Sequence, residues 1–252
     1  MLHIFVDPGQ MDGDLLHVTG SDVNHIRNVM RLKPGDEICV HTGEDQREYR
    51  YGIETLSGEE VLCRLRFVKE ADVELPIRVI LFQGLPKADK MDMIVQKSVE
   101  LGVTEIVPVR TRRSVVKLDD AKAAKRVARW QSIAESAAKQ SRRAVIPQVQ
   151  KPMTMREAVE YARQNTDVRL IPYELQALDE AGAKGTKEVL ENMKPGEALG
   201  FFIGPEGGFE PEEIDMAAEA GIRPISLGRR ILRTETAAMV VLSWLIWVFE
   251  IG

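Results

Sequence analysis

Two short stretches put glycine, carboxylate and guanidinium where they could handle a ligand: Gly204-Pro205-Glu206-Gly207-Gly208-Phe209, and Leu227-Gly228-Arg229-Arg230-Ile231-Leu232-Arg233-Thr234-Glu235-Thr236. Glycine lets the backbone take positive φ and approach a bound molecule with no side chain between them. Arg229, Arg230 and Arg233 bring fixed, permanently charged donors, and Glu206 and Glu235 can accept protons or hydrogen bonds. Neither stretch is a common nucleotide loop, since no Gly-Lys-Ser/Thr follows the glycines and the Gly-x-Gly-x-x-Gly spacing is absent. The residue types therefore fit a small molecule, and spacing goes no further.

Each stretch needs a strand before it and a helix after it. Ala198 to Ile203 is a short apolar run that suits a buried parallel strand. Pro211 with Glu212 and Glu213 reads as a first helical turn, where proline is tolerated and acids meet the positive end of the dipole. The second unit repeats the order: Pro224 to Leu227 is a strand, Gly228 opens the turn, and Thr234 with Glu235 begins a long apolar helix. Upstream, Ile77 to Phe82, Thr104 to Val109 and Val168 to Ile171 read as strands. Asp89 to Leu101, Asp119 to Gln140 and Thr154 to Gln164 read as helices, the first ended by Gly102 in the C′ position. This alternation predicts an α/β fold with a mostly parallel sheet. Ligands collect at the carboxyl ends of such strands, so the loops after Phe82, Ile171, Ile203 and Leu227 are expected to converge.

The first seventy residues follow another pattern. His3 to Val6, Leu15 to Val18, Glu37 to His41, Arg47 to Glu54 and Val61 to Val68 alternate as strands, with turns at Asp12-Gly13 and Lys33-Pro34-Gly35-Asp36. Ser21 is expected to cap a short helix through about Met30, with Val23, Ile26 and Met30 on one face. Many short strands in so small a unit suggest a barrel. The charged run Lys69 to Glu74 before Pro76 marks a boundary, giving domains over 1–72 and 73–252.

Charge and cysteine usage narrow the partners. The net charge is −5, yet Arg110 to Arg143 holds eleven Lys/Arg against three acids, a local +8 that leaves −13 elsewhere. A basic strip on an acidic chain points to a polyanion met in one place, with a solvated helix face as the alternative. The unit up to Asp72 is itself acidic, so RNA contact there must be local, through Arg27, Arg31 and Lys33. Cys39 and Cys63, both in alternating segments, read as reduced core thiols, and the histidines His3, His17, His25 and His41 match no zinc spacing. The second half has no histidine for a Ser-His-Asp mechanism. No charged apolar leader opens the chain, and Ala237 to Phe249, interrupted by Ser243, reads as too short to span a bilayer, so a cytoplasmic protein without a membrane partner is expected.

The paired signature Gly204-Pro205-Glu206-Gly207-Gly208-Phe209 and Leu227-Gly228-x-Arg230-Ile231-Leu232-Arg233-x-Glu235-Thr236-Ala237 closely resembles that of the bacterial 16S ribosomal RNA uridine N3-methyltransferases, a family of the SPOUT class. The resemblance extends through Leu85-Pro86-Lys87, Gln96 to Gly102, Arg113-Ser114-Val115-Val116, Gln140-Ser141 and Arg143. It implies a C-terminal α/β SPOUT-type parallel sheet with a trefoil knot, preceded by a small PUA-like β-barrel domain. It further implies S-adenosyl-L-methionine as cofactor, 16S rRNA in the 30S subunit as substrate, a homodimer, and no metal. Two departures stand out: His3 lies where members often carry arginine, and Lys139 and Arg142 replace the Glu and Gly common in the Glu-Gln-Ser-Gly-Arg stretch.

Carried onto these residues, the resemblance implies a cofactor cradle of Ile171, Pro172, Tyr173, Gly204, Pro205, Gly207, Gly208, Leu227, Gly228, Ile231, Leu232 and Thr234. The RNA face would use Arg27, Arg31, Lys87, Arg112, Arg113, Lys139, Arg142 and Arg143. Uracil N3 is protonated at neutral pH, so the reaction must remove that proton and stabilise the charge left on the ring oxygens. Arg233 is the expected stabiliser of that charge. Glu206 is a candidate proton acceptor or orienting group, with bonding of the turn's own N–H groups as its competing role. Two other classes stay open, a non-catalytic RNA-binding protein with a relic pocket and a SPOUT enzyme acting on transfer RNA or ribose O2′.

Overall fold

The computed structural model describes residues 1–43, 45–114, 119–173 and 180–252, with residues 180–184 described by backbone alone. Val115 and Val116 of the resemblance and Lys117 of the basic strip lie outside these described residues. The chain forms two compact units, one of Met1–Glu74 with Ala138–Ile146, the other of Leu75–Ala137 with Pro147–Gly252. The first boundary falls two residues past the expected one, and Ala138–Ile146 returns to the first unit. No composition signal marks that excursion.

In the first unit, strands β1 (Leu2–Phe5), β2 (Met11–Asp12), β3 (Leu15–Thr19), β4 (Glu37–His41), β5 (Arg47–Leu56) and β6 (Glu60–Glu70) form one sheet in the order β1-β4-β5-β6-β3-β2. All neighbours are antiparallel except β1 and β4, which run parallel. Among the described residues no ladder joins β2 to β1, so hydrogen bonds do not close the expected barrel. Alternating side chains Leu2, Ile4, Leu16, Val18, Ile38, Val40, Tyr51, Ile53, Val61 and Cys63 make its core. Helix α1 (Ser21–Asn24) starts one residue earlier than a Ser21 cap would allow, with Gly20 at φ 72 as N-cap. It widens at once into a π-type turn over His25–Val29, closed by Met30 N–H to His25 O. That wider turn shifts the helical phase, which leaves Met30 exposed while Val23 and Ile26 are buried.

The second unit is a parallel sheet covered by helices. Strands β7 (Arg78–Gly84), β8 (Glu105–Arg110), β9 (Gln148–Val149), β10 (Met153–Thr154), β11 (Val168–Pro172), β12 (Ala198–Ile203) and β13 (Arg223–Ile225) take the order β10-β8-β7-β12-β11-β13, with β9 also on β8. Every pairing is parallel, and the central strands β7 and β12 are fully in register from Arg78 opposite Ala198 to Gln83 opposite Ile203. Phe82 and Phe202, opposed in that register, stack at 4.4 Å between centroids. The helices are α2 (Lys90–Glu100), α3 (Asp120–Gln140), α4 (Met155–Asn165), α5 (Glu180–Glu191), α6 (Pro211–Glu219) and α7 (Thr234–Ile246). Local chemistry sets their ends: Thr154 and Glu157 form a capping box on α4, Glu210 and Glu213 one on α6 with Pro211 at its start, and Gly102 at φ 94 stops α2.

Helix α7 continues through a π-type turn over Trp247–Ile251, so the helical stretch runs from Thr234 to Ile251, 18 residues with mean hydropathy 1.5. That exceeds the expected run, and by length and composition it could cross a membrane. Ala237, Ala238, Val241, Leu242 and Leu245 are buried in the second unit against neighbours that include α2. Both cysteines are free and buried, as expected of core thiols.

Candidate active site

The loops after β7, β11, β12 and β13 meet through hydrogen bonds to one another. Gln83, fully buried at the end of β7, donates from Nε2 to Gly84 O and to Thr234 Oγ1, each at 2.9 Å. The Thr234 hydroxyl donates to Gly204 O at 2.7 Å. One threonine at the start of α7 thus ties the ends of β7 and β12 together, its hydroxyl engaged by the sheet rather than by its own helix. Tyr173 N–H donates to Ile225 O at 3.1 Å, joining the ends of β11 and β13. Gly84 lies so close to the first turn that a Cβ there would sit 2.6 Å from Pro205 Cδ and 2.7 Å from Pro205 N. A glycine is therefore required at the crossing of two chain segments.

The first turn is held from every side. Glu206 accepts from Lys87 N–H at 3.2 and 3.3 Å and pairs with Lys90 Nζ at 2.8 Å. Burial raises its carboxyl, but hydrogen bonds from Lys90, its own N–H and Lys87 N–H outweigh burial and bring it below the ordinary glutamate value. Arg113 reaches over the turn, donating from Nη1 to Gly207 O at 2.6 Å while its Nε pairs with Glu210 at 2.9 Å. A Cβ on Gly207 would meet Arg113 Cβ at 3.2 Å, whereas Gly208 holds the positive φ of 69. The left-handed residue that demands glycine is thus Gly208, and Gly207 is pressed by Arg113.

The second turn is open. Gly228, at φ 102, is fixed by its N–H to Ser226 Oγ at 3.1 Å, and Ser226 N–H in turn meets Thr186 Oγ1 at 3.2 Å. Beyond it, Arg229, Arg230, Ile231 and Leu232 donate no backbone hydrogen bond among the described residues, and Ile231 is 79% exposed. Arg233 is the N-cap of α7, exposed, and its guanidinium has no hydrogen bond or ion pair among the described residues. It does not pair with Glu235, whose buried Oε2 has no hydrogen-bond partner and lies 3.9 Å from Lys90 Nζ. The site combines free backbone donors, apolar side chains and the guanidinium groups of Arg229, Arg230 and Arg233, all exposed and without a hydrogen-bond or ion-pair partner among the described residues. Such a lining fits a ligand with a broad apolar body and polar edges.

Residues 73–246 match the family described as RNA methyltransferase domain, and residues 18–66 match the RNA methyltransferase PUA domain. The chain is 36% identical to ribosomal RNA small subunit methyltransferase E of Bacillus subtilis over 226 residues, which is 90% of this chain and 87% of that protein. It superposes with a TM-score of 0.82 on a ribosomal RNA small subunit methyltransferase E from Neisseria gonorrhoeae bound to S-adenosyl methionine, at 31% identity over 99% of this chain and 98% of that one. This chain belongs to the ribosomal RNA small subunit methyltransferase E family. A methyltransferase from Legionella pneumophila, solved with the cofactor SAM, matches at 32% identity and a TM-score of 0.79 over 97% of this chain and 96% of that one. Family membership agrees with the observed α/β architecture, a β-rich unit holding the PUA-domain match followed by the parallel sheet of the RNA methyltransferase domain.

In this family member the sequence-derived cradle gathers where strand ends meet: Ile171 and Pro172 end β11, Tyr173 follows, and Gly204, Pro205, Gly207 and Gly208 form the first turn. Leu227, Gly228, Ile231 and Leu232 form the second turn, and Thr234 bridges to the first. The residues expected on an RNA face divide. Arg27, Arg31, Lys87, Lys139 and Arg142 are exposed, and among the described residues their side-chain charges have no ion-pair partner. Arg112 pairs with Glu212 at 3.1 Å, and Arg113 is the clamp described above. Arg143 is not on any RNA face. Its side chain is 3% exposed and its Nε donates to both oxygens of the equally buried Glu74, at 3.1 and 3.0 Å. Glu74 also accepts Ala144 N–H, so an internal carboxylate claims the charge that sequence reasoning offered to phosphate. Gln83, Gly84 and Lys90 escaped that reasoning because a buried glutamine, a strand-end glycine and a helix lysine carry no local mark of the turns they touch.

Proposed function

We propose that this chain is an S-adenosylmethionine-dependent methyltransferase that methylates N3 of a uridine in 16S ribosomal RNA within the 30S subunit. The observation that carries this reading is Arg233, an exposed guanidinium without a partner among the described residues, set beside a turn of unengaged backbone donors. The relatives' activity and the cofactor held by two of the solved structures agree with it. The cradle fits that cofactor: Gly204, Gly207 and Gly208 keep side chains away from it, the N–H groups from Arg229 to Leu232 are free for its polar edges, and half-buried Tyr173, Leu227 and Leu232 offer apolar cover. When bound, S-adenosylmethionine supplies an electrophilic methyl group on its sulfonium.

Arg233 donates to a uracil ring oxygen as the N3 proton passes to solvent water, stabilising charge that exists chiefly in the transition state before N3 takes the methyl group. Glu206 orients rather than accepts that proton, because Lys90 and two backbone N–H groups hold its carboxylate ionised and engaged. Its role is to lock the loop after β7 onto the first turn. Exposed Lys139 and Arg142 in the first unit, and exposed Arg110 and Lys125 in the second, supply the phosphate contacts.

The reading extends to a cytoplasmic homodimer whose second unit follows the knotted path of its class. The dimer is supported by α7, where Met239, Val240, Trp244 and Val248 stay partly exposed and Trp247 and Ile251 are 62% and 66% exposed, outside the buried stripe. The test is nucleoside mass spectrometry of small-subunit ribosomal RNA from a deletion strain, with methylation by the purified protein of 30S subunits and of free RNA. Loss of 3-methyluridine, restored on 30S subunits, is expected. Unchanged 3-methyluridine would overturn the reading, and restoration on free RNA alone would remove the assembled subunit as substrate.

A further inference from the structure

Parallel pairing of β1 with β4 sets His3 opposite Cys39 and brings His41, two residues on, to the same place. His41 Nε2 lies 3.4 Å from His3 Nδ1 and 3.4 Å from Cys39 Sγ, and the three ligand atoms fall within 4.8 Å of one another. Cys39 and His41 are buried and His3 is half-buried, so the trio is sheltered but reachable past His3.

The orientation of His41 is set by its other nitrogen. His41 Nδ1 is 3.1 Å from Arg47 O, a carbonyl that can only accept, so the proton sits on Nδ1 and the Nε2 lone pair faces the other two side chains. Such an outer hydrogen bond, fixing the tautomer and aim of the ring, typically accompanies a metal-ligating histidine. A tetrahedral zinc ion with nitrogen at ~2.0–2.1 Å and sulfur at ~2.3 Å keeps its ligand atoms about 3.3–3.6 Å apart. The two 3.4 Å separations fall in that range. As plain hydrogen bonds they are poor, since an imidazole N–H to nitrogen at 3.4 Å is beyond the usual length.

We propose that His3, Cys39 and His41 form a binding site for a thiophilic divalent cation, Zn2+ being the ion that two imidazoles and one thiolate fit, with water as fourth ligand. On binding, the Cys39 S–H bond breaks, its proton passes to solvent and a sulfur–metal bond forms. The His3 proton moves to Nε2, leaving Nδ1 free to ligate. The carboxylates Glu48 and Glu74 and the cations Arg50, Lys69 and Arg142 are the charged groups around the trio, so the added positive charge meets a mixed field. The ion clips β1 to β4, a structural role in the first unit separate from the methyl-transfer site. Sequence spacing could not reveal it, because two ligands come from one strand and the third from a neighbour paired through register.

The test uses the full chain, freed of metal by chelator and titrated with Co2+, whose thiolate charge-transfer and tetrahedral d–d bands report the ligands directly. One equivalent should give both bands, and Zn2+ should abolish them by displacement. His3→Ala, at a half-exposed position, should weaken Co2+ binding at least tenfold, Cys39→Ser should remove the charge-transfer band, and Cys63→Ser should leave it intact. Absence of the band in the folded wild type, its persistence in Cys39→Ser, or unchanged affinity in folded His3→Ala would overturn the proposal.

Discussion

The two glycine turns share one order of elements, a strand before and a helix after, and differ in what their charges do. In the first, Glu206 is held by Lys87 N–H and Lys90, Gly207 O by Arg113, and Gly204 O by Thr234. In the second, Arg233 and the backbone donors from Arg229 to Leu232 are free among the described residues. Charges with partners build shape, and charges without partners are available to a ligand. The same contrast separates adjacent Arg142 and Arg143, the first exposed and the second locked to Glu74.

The sharpest way to break this contrast is to remove a structural charge. Arg143→Ala strands Glu74 in the interior, and losing one partner of a buried pair costs about 3–5 kcal/mol. Urea denaturation should show a loss of that size, and a loss typical of an exposed pair, under ~1 kcal/mol, would return Arg143 to the RNA face. Gly84→Ala comes next. Its Cβ would press on Pro205 backbone, so a stability loss of about 1–3 kcal/mol and weaker cofactor binding by calorimetry are expected. Neither change would mean that the two segments do not need their close approach.

A smaller effect is expected at Glu206. With its carboxylate already engaged, Glu206→Gln should lower single-turnover methyl transfer by less than the ~10²–10⁴-fold that a general base contributes. A fall within that range would restore the proton-acceptor role. Smallest is Arg142→Gly. Arg142 sits at φ 60 in the C′ position of α3, where its N–H bonds Lys139 O and Arg143 N–H bonds Ala138 O, the αL arrangement that favours glycine. Glycine there should stabilise the fold by about 1 kcal/mol while weakening RNA binding and lowering its salt slope. A destabilised variant would show that the arginine makes a compensating contact.

What the sequence disclosed was local. The strand, glycine turn and helix order, the caps at Thr154, Pro211 and Gly102, and the parallel sheet all follow from patterns within a dozen residues. Long-range partners were hidden. Arg143 looked like its neighbour until Glu74, 69 positions away, claimed it, and Gly84 looked like any strand-end glycine until Pro205 arrived beside it. His3, Cys39 and His41 matched no zinc spacing because their meeting depends on the register of β1 and β4. The return of Ala138–Ile146 to the first unit belongs to the same class, since topology rather than composition decides it.

Whether a free charge marks the chemistry is decided most directly at Arg233. The measurement is single-turnover methyl transfer to 30S subunits at saturating cofactor for wild type, Arg233→Ala and Arg233→Lys, with calorimetric cofactor affinity for each. A guanidinium that stabilises the uracil anion acts mainly in the transition state, so Arg233→Ala should lose about a hundredfold to a thousandfold in rate with cofactor affinity little changed. Arg233→Lys should recover only part of it, since an ammonium lacks the planar fork. A near-normal rate in Arg233→Ala, or a defect accounted for by lost cofactor affinity, would contradict the assignment.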